Sequence, residues 1–480
     1  MSKRKDNITI RVIGGNADDV TGSASLITYQ SKNILFEFGM IQKGKSIYEN
    51  YIYNKDLLDR VKPKKIDYIF VGHAHCDHIG LIPALYKKNC TAEIIVPFGN
   101  YDIIKEMWLD SAYINQRDAE ILTQQKGRNY EPLFTEEDVK IALNYIAEKP
   151  FNQSHILIEN AISYRFSHAG HILFSAQTEI FFSQSNHTKK VLFTSDLGNS
   201  QLKNSKIFVE EFQPVANANV VIGESTYALP TRNSTAKTLA LDIEKIRTVV
   251  DQYCIDQNHR VLIPCFSLDR LPYMLWILYT LYGSDTTFRI PICVDSPLGI
   301  RLLKAYQKNL PKEMLDTFNE MISWKNIRYL YEPEESKAAI TEKGPKIILA
   351  SAGMLTAGRS VKWVQSILPD PDDCICFIGY CSTNTLAYKI KHSEPNSMIS
   401  ICGKSIRNNC QIIDLKSFSS HMQNNDLLDY YSSINAEKIY LVHSNTNDRL
   451  IFKNDLEKRI AEKNKTTKVI AANRSTIINI

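Results

Sequence analysis

In the stretch Val71-Gly72-His73-Ala74-His75-Cys76-Asp77-His78-Ile79-Gly80, three imidazoles and a carboxylate fall within six positions of a chain that has 11 histidines in all. That density points to a metal ion, because zinc takes nitrogen, sulfur and oxygen ligands and a catalytic site keeps one coordination position for water. His73 and His75, two apart on the exit from a strand, can converge on one ion. Asp77 and His78, on the helical turn that follows, point to a neighbouring ion. An imidazole-rich set favours zinc, with manganese as the alternative, whereas carboxylates alone would suit magnesium. Three later positions can complete a two-metal site: His171 in Ser167-His168-Ala169-Gly170-His171, Asp196 at the end of Val191-Leu192-Phe193-Thr194-Ser195, and His421 after Ser417-Phe418-Ser419-Ser420. Each alone is more often a hydrogen-bonded turn residue than a ligand; their order along the chain carries the information.

The elements that must position these residues follow from hydrophobic periodicity. Short strands are expected over 8–13, 25–29, 33–38, 65–72 and 94–97. The strand ending at Gly72 delivers the histidine run into a loop, and a helix over 81–88 follows it, so Asp77 and His78 fall at a helix N-terminus. Two polar helices are expected over 110–123 and 135–147, joined by a basic loop around Lys126 and Arg128, and then strands over 161–166, 178–182 and 190–194. After about Glu224 strands alternate with helices: 261–266 before 271–282, 288–294 before 298–308, 346–350 before 360–367, and a closing strand over 374–380. That alternation predicts a doubly wound parallel sheet. From about Ser397 strand texture returns (398–401, 411–415, 438–442), ending in a basic helix over 450–463. A nested α/β architecture is therefore expected: a first domain over 1–222 and 397–480, interrupted by a second over 223–396.

Size and composition bound the function. A chain of 480 residues exceeds what one core usually sustains, and 44% hydrophobic with 23% charged residues is ordinary for a globular protein. The net charge of +5 is too mild to announce a polyanion partner by itself. The stretch Met1-Ser2-Lys3-Arg4-Lys5-Asp6 has no apolar segment behind it, and no run reaches the roughly 18 apolar residues needed to span a bilayer, so a soluble, unexported protein with no membrane partner is expected. The ten cysteines are scattered, with only Cys374 and Cys376 close together, which suits reduced core thiols in a cytoplasm.

Taken in order, these motifs resemble those of a metallo-β-lactamase-fold hydrolase, and more narrowly its β-CASP branch of nucleic-acid-processing nucleases. The HxHxDH run, the AGH histidine, Asp196 and the SFSxH histidine carry the resemblance. Gly223-Glu224-Ser225-Thr226-Tyr227, Val261-Leu262-Ile263-Pro264 with Phe266, Asp295-Ser296-Pro297-Leu298, Ser351-Ala352-Gly353-Met354-Leu355 with Gly358, Gly379-Tyr380-Cys381 and Leu441-Val442-His443 extend it over nearly the whole chain. It is closest to the RNA-processing members, such as the endonuclease subunit of the eukaryotic mRNA 3′-end cleavage complex and its prokaryotic relatives. The resemblance implies an αββα metallo-β-lactamase sandwich with an inserted Rossmann-like β-CASP domain. It further implies that His73, His75 and His171 hold one zinc, that Asp77, His78 and His421 hold the other, and that Asp196 bridges. Two such ions lower the pKa of a shared water and clamp the oxygens of a phosphodiester; Asp77 can also orient the attacking oxygen.

Two departures from the family pattern stand out. Glu37, in Ile34-Leu35-Phe36-Glu37-Phe38-Gly39, replaces an aspartate and is expected to buttress the ligands. The family's histidine near the leaving group falls on Lys389, which is expected to pair with Glu224 and contact phosphate, with His392 as the fallback proton donor. Phosphate contacts are expected from Ser351, Gly353, Arg359, Arg270 and Arg232, in loops of the inserted domain. His155, His168, His187, His259 and His443 are read as hydrogen-bonded or exposed, although the resemblance places His443 near the site, and the C-terminal lysines are read as a solvated helical face. The function implied is a zinc ribonuclease cutting single-stranded RNA, as endonuclease and/or 5′-exonuclease, in a cleft between the domains. DNA is the less favoured substrate, because the DNA-repair branch lacks the histidine supplied by His421. A homodimer or a protein partner is compatible with the sequence. The alternatives are a non-catalytic metal-binding partner subunit, a DNA nuclease and a small-molecule hydrolase of the same fold.

Overall fold

The computed structural model describes residues 7–184, 187–199, 208–230, 235–379 and 381–480. The chain divides into two compact units, the first taking 1–200, 209–233 and 420–480 and the second 201–208 and 234–419. Arg232 and Tyr380 lie outside the described residues.

The first unit is built on two seven-stranded sheets. One contains β1 (Thr9–Val12), β2 (Ser25–Tyr29), β3 (Lys32–Phe36), β4 (Tyr68–Phe70), β5 (Glu93–Pro97) and β6 (Ile146–Lys149) in sequence order, with β22 (Ile477–Asn479) beside β1. The other runs from β7 (His155–Ile158) through β8 (Ile162–His168), β9 (Ala176–Gln184), β10 (His187–Phe193) and β11 (Asn217–Glu224) to β20 (Asn435–Val442) and β21 (Lys468–Ala471). Alternating burial along β2 marks one face as core. Aromatic side chains of the two sheets meet there: Phe36 stacks on Phe193 at 4.1 Å, Phe70 meets Tyr164 edge-on at 4.9 Å, and Tyr29 meets Phe182 at 5.2 Å. The opposite face of the second sheet (Leu192, Val221, Ile439) packs on Leu427 and Tyr431 of α13 (Asn424–Ser433) and on Phe452 and Leu456 of α14 (Thr446–Glu462).

Helices α1 (Ile47–Asp59), α2 (Cys76–Ile79), α3 (Ile82–Lys87), α4 (Tyr101–Lys126) and α5 (Glu136–Leu143) belong with the first sheet's connections. The helix expected over 110–123 is the latter half of a single helix, α4. Gly127 at φ 64° stops it in a left-handed cap that returns its N–H to Thr123 O. The helix expected over 135–147 opens on a Thr135–Asp138 capping box but ends at Leu143, because the next residues are drawn into β6 by parallel pairing with β5.

The second unit has a six-stranded, all-parallel sheet in the order β14-β13-β15-β12-β16-β19. Its strands are β12 (Arg260–Pro264), β13 (Ile292–Asp295), β14 (Ile327–Tyr329), β15 (Lys346–Ala350), β16 (Cys374–Phe377) and β19 (Gln411–Asp414). The connections carry α6 (Ala236–Val250), α7 (Arg270–Tyr282), α8 (Pro297–Asn309), α9 (Lys312–Ile322), α10 (Pro333–Thr341), α11 (Arg359–Ile367) and α12 (Leu386–Lys391). Strands β13, β15 and β16 are buried throughout, as sheets covered on both faces require. The expected alternation and doubly wound topology are present. The strands between Ser397 and Ser419, read as part of the return to the first domain, belong here instead, while 438–442 does return to the first unit as β20: β17 (Met398–Ile401) and β18 (Lys404–Arg407) form a hairpin, and β19 pairs with β16, Cys376 opposite Ile413. Local strand texture says that a segment is a strand, not which sheet edge will accept it. No helix among the described residues is long and apolar enough to cross a membrane.

Arg449 of α14 closes the first unit. It is 1% exposed and donates to Ala17 O at 2.5 Å, to Ala472 O and to Ser444 O, with Nε 3.2 Å from Ser444 Oγ. Burial pushes its pKa down to about 10, although Asp18 and Asp19 oppose the shift. Arg449→Met keeps the apolar stem and strands these carbonyls. It is expected to cost about 2–4 kcal/mol, read as a lower urea midpoint; an unchanged midpoint would refute this role.

Candidate metal centre

Parallel pairing sets the geography of the site. Strands β10, β11 and β20 lie side by side, Phe193 opposite Ile222 and Glu224 opposite Val442, so their C-terminal ends form one crest. Asp196, Glu224 and His443 sit at or just beyond those ends. In the other sheet β3 and β4 are also parallel, with Phe36 opposite Phe70. Their ends release Glu37 and the loop bearing His73 and His75, and His75 is the N-cap of α2, whose first turn holds Asp77. The turn between β8 and β9 supplies His171. His421 is held by an isolated bridge to Gly198, flanked by Met422 N–H to Leu197 O (2.8 Å) and Asn199 N–H to Ser420 O (2.9 Å). A Cβ at Gly198 would lie 1.8 Å from Gly170 O, so only glycine lets the AGH turn and the Asp196 loop approach this closely.

Two groups of donor atoms result. In the first, His73 Nε2 is 3.0 Å from His75 Nδ1, His171 Nε2 is 3.3 Å from His75 Nδ1, and Asp196 Oδ2 lies 3.7 Å and 3.6 Å from His73 Nε2 and His171 Nε2. In the second, His78 Nε2 is 3.7 Å from Asp77 Oδ2 and 3.4 Å from Asp196 Oδ2. His443 Nε2 is 3.5 Å from Asp77 Oδ2, and His443 Nδ1 is 3.5 Å from Asp196 Oδ1. A tetrahedral zinc about 2.0–2.1 Å from each ligand spaces the ligands roughly 3.4 Å apart; the first group has that spacing, and so do the contacts of Asp77 Oδ2 with His78 Nε2 and His443 Nε2 in the second. His78 Nε2, His443 Nε2 and Asp196 Oδ1 are buried with no hydrogen-bond partner, which a metal ion would supply.

The structure brings His73, His75, Asp77, His78, His171 and Asp196 together. It treats two other histidines differently from expectation. His443, expected to be an ordinary hydrogen-bonded or exposed residue, is 3% exposed and stands in the second donor group, its Nδ1 2.9 Å from Thr226 Oγ1. His421, expected in that group, lies on the His171 side with its ring 4.5 Å from that imidazole, and its Nδ1 is 3.5 Å from Glu224 Oε1 and 3.9 Å from Asp196 Oδ2. The readable signal for His443 was its position immediately after the apolar run Ile439-Tyr440-Leu441-Val442, the same kind of strand end that carries Asp196.

Glu224 takes its partners within the first unit, accepting from Leu197 N–H and Thr226 N–H at 2.9 Å each. Lys389 is an exposed residue of α12 in the second unit. His392 is also exposed there and is occupied by stacking on Tyr388 at 3.9 Å and by Tyr388 O. Arg359, expected at a phosphate, is committed to the fully buried Asp295 at 2.6 Å and to the carbonyls of Leu330 and Tyr331, because Asp295 needs a countercharge. Arg270 donates to Ile378 O, Ser351 donates to Cys265 O and accepts from Ser267, and Gly353 passes over the Cys265–Phe266 backbone.

Burial lowers the pKa of His73 well below the usual value, helped by His78, so its neutral ring suits a metal. Burial also disfavours charge on His78, but Glu37, Asp196 and Asp77 outweigh it and hold that imidazole well above the ordinary range. For His421 burial again opposes the cation, and Asp196 and Glu224 raise it overall. Asp196 is held well below the usual carboxylate range: burial would raise it, and His443, His78 and His421 reverse that.

Three family models match successive parts of the chain. Residues 17–135 match the metallo-beta-lactamase superfamily, 273–390 the Beta-Casp domain, and 405–470 the Zn-dependent metallo-hydrolase RNA specificity domain. The chain is 27% identical to ribonuclease TTHA0252 of Thermus thermophilus over 89% of its own length and 91% of that protein's. It is 24% identical to the endoribonuclease YSH1 of Saccharomyces cerevisiae and 26% identical to cleavage and polyadenylation specificity factor 73 of Drosophila melanogaster. It spans only 54% and 61% of those two proteins, respectively. A crystal structure of a protein of unknown function from Enterococcus faecalis aligns with 99% of the chain and all of that protein at TM-score 0.53 and 12% identity, a likeness of fold.

If the orphaned donors bind metal, zinc at 100 times its dissociation constant should stabilise the folded chain by about 2.7 kcal/mol. Differential scanning calorimetry with zinc and after dialysis against a chelator measures this, and identical melting temperatures would exclude a metal centre.

Proposed function

The chain belongs to the β-CASP branch of the metallo-β-lactamase superfamily, and from that premise we propose that it is a two-zinc ribonuclease that hydrolyses phosphodiester bonds within single-stranded RNA. The observation that carries the reading is the pair of adjoining donor groups, His73-His75-His171-Asp196 and Asp77-His78-His443, with Asp196 Oδ2 3.4 Å from His78 Nε2 between them, in a chain that also matches an RNA specificity domain. The names of its relatives, a ribonuclease and an endoribonuclease, support RNA and internal cutting.

His73, His75, His171 and Asp196 are assigned to one ion, and Asp77, His78, Asp196 and His443 to the other. Bound zinc supplies a water of lowered pKa and neutralises charge on the phosphodiester. Thr226 Oγ1 beside His443 Nδ1 turns Nε2 of that ring toward Asp77, which supports the exchange of His443 for His421 in the second ligand set. His421 is assigned the proton transfer to the leaving oxygen. Its side chain is 22% exposed while its Nδ1 faces Glu224, and Glu224 is itself fixed by two backbone N–H groups. An imidazole steadied by a carboxylate has a pKa suited to donating a proton near neutrality, which a lysine ammonium lacks. Lys389 is assigned an electrostatic contact with the RNA backbone instead, and Ser351, Gly353 and Arg270 a part in binding substrate. The ten unpaired cysteines support a reducing compartment, the cytoplasm.

The experiment pairs metal analysis with cleavage of end-labelled RNA. His421→Ala is expected to keep two zinc ions per chain and lose about 100- to 10,000-fold in cleavage rate. His443→Ala is expected to fall to one ion. The opposite pattern, zinc lost from His421→Ala and retained in His443→Ala, would restore the original ligand set. A product ladder shortening only from the 5′ end would replace internal cutting by exonuclease action, and cleavage confined to single-stranded DNA would refute the RNA assignment.

A further inference from the structure

Glu37 and Ser195 touch the two donor groups from behind, and the direction of their hydrogen bonds is determined by counting protons. Glu37 Oε2 accepts from Ser23 Oγ at 2.6 Å and lies 2.7 Å from His78 Nδ1. Glu37 Oε1 accepts the Ser195 hydroxyl at 2.7 Å, and the same hydroxyl oxygen lies 3.0 Å from His73 Nδ1. A serine has one proton to give. With that proton on Glu37, Ser195 can only accept from His73, so His73 carries its proton on Nδ1 and turns its Nε2 lone pair to the first donor group. His78 gives its Nδ1 proton to the same carboxylate and turns Nε2 to the second.

We infer that Ser195 is a positioning residue that acts as one unit with Glu37, so that a single carboxylate fixes the tautomer and orientation of a histidine in each of the two donor groups. Two further observations show the arrangement is built rather than incidental. Ser195 and Glu37 both adopt left-handed backbone, at φ 50° and 58°, which side chains other than glycine avoid. Gly72 lies against both: a Cβ there would stand 2.4 Å from Ser195 Oγ and 2.9 Å from Glu37 Oε1, so the hydroxyl and the carboxylate occupy space that only glycine leaves open. The longer reach of glutamate suits this role, since one oxygen serves His78 and the other serves Ser195.

The inference rests on the zinc reading above, and its test has a readout separate from RNA cleavage. Zinc affinity is measured by competition with a chromophoric chelator for the wild type, Ser195→Gly, Ser195→Ala, Glu37→Asp and the Glu37→Asp/Ser195→Gly double variant, and urea unfolding is followed on the metal-free chains. Ser195→Gly is expected to unfold at the same or a higher urea concentration, since glycine accepts φ 50°, while losing about 10- to 100-fold in zinc affinity. Ser195→Ala is expected to lose affinity equally without the gain in stability, which isolates the hydroxyl as the cause. The double variant is expected to fall no further than the weaker single one, because both changes break the same link. Zinc affinity of Ser195→Gly within about twofold of wild type, or losses that multiply in the double variant, would overturn the inference. A wild type that binds zinc tightly but leaves RNA intact would refute the nuclease reading alone, and one that binds no zinc would overturn both.

Discussion

One carboxylate, that of Asp196, stands within 3.9 Å of five imidazoles: His73, His78, His171, His421 and His443. It is 2% exposed, and a buried charge of this kind costs several kcal/mol unless cations or metal ions compensate it. The surrounding architecture serves that compensation. Strand β10 must end where it does, in parallel with β11, for the carboxylate to reach the crest; the β8–β9 turn must close against Gly198 for His171 to arrive; and β20 must add beside β11 for His443 to face it. Asp196 belongs to the first donor group and adjoins the second through His78 Nε2, so an error in its placement is an error in each.

Much of this is legible in the sequence, for physical reasons that differ by element. The HxHxDH run is readable because four donors lie within six positions and a strand-loop-turn must gather them. The parallel sheet of the second unit is readable because strands buried on both faces leave continuous apolar runs between amphipathic helices. The roles of His421 and His443 were not legible by the same route. Each stands alone in its segment, and only pairing with distant strands brings one to Glu224 and the other to Asp77. Strand β19 was misplaced for a related reason, because its short segment joins β16 through backbone hydrogen bonds that carry no side-chain signature.

The basic residues show the limit of reading function from residue type. Arg359 is read from its sequence neighbourhood as a phosphate ligand in a loop, yet it opens α11 and its guanidinium is spent on Asp295, which also accepts from Trp363 Nε1 at 2.7 Å and from Ser336 Oγ at 2.5 Å. Asp295 is buried at the end of β13, and an unpaired charge there would be far more costly than an arginine withheld from substrate. Glu37 shows the converse case. Its carboxylate divides between two partners, Oε2 lying 2.7 Å from His78 Nδ1 and Oε1 accepting from Ser195 Oγ, in space that the missing side chain of Gly72 leaves to them.

The nesting of one unit within the other has a consequence for biosynthesis. The residues that gather the first donor group, His73, His75, His171 and Asp196, leave the ribosome before any strand of the second unit, whereas His443 emerges only after the whole of that unit has been made. Until β20 docks beside β11, the nascent protein presents one complete group of donors and one that lacks a member. A translation product cut short anywhere in the inserted unit would therefore be a half-equipped metal protein with an exposed edge on β11, a species that quality control can recognise by its unpaired strand.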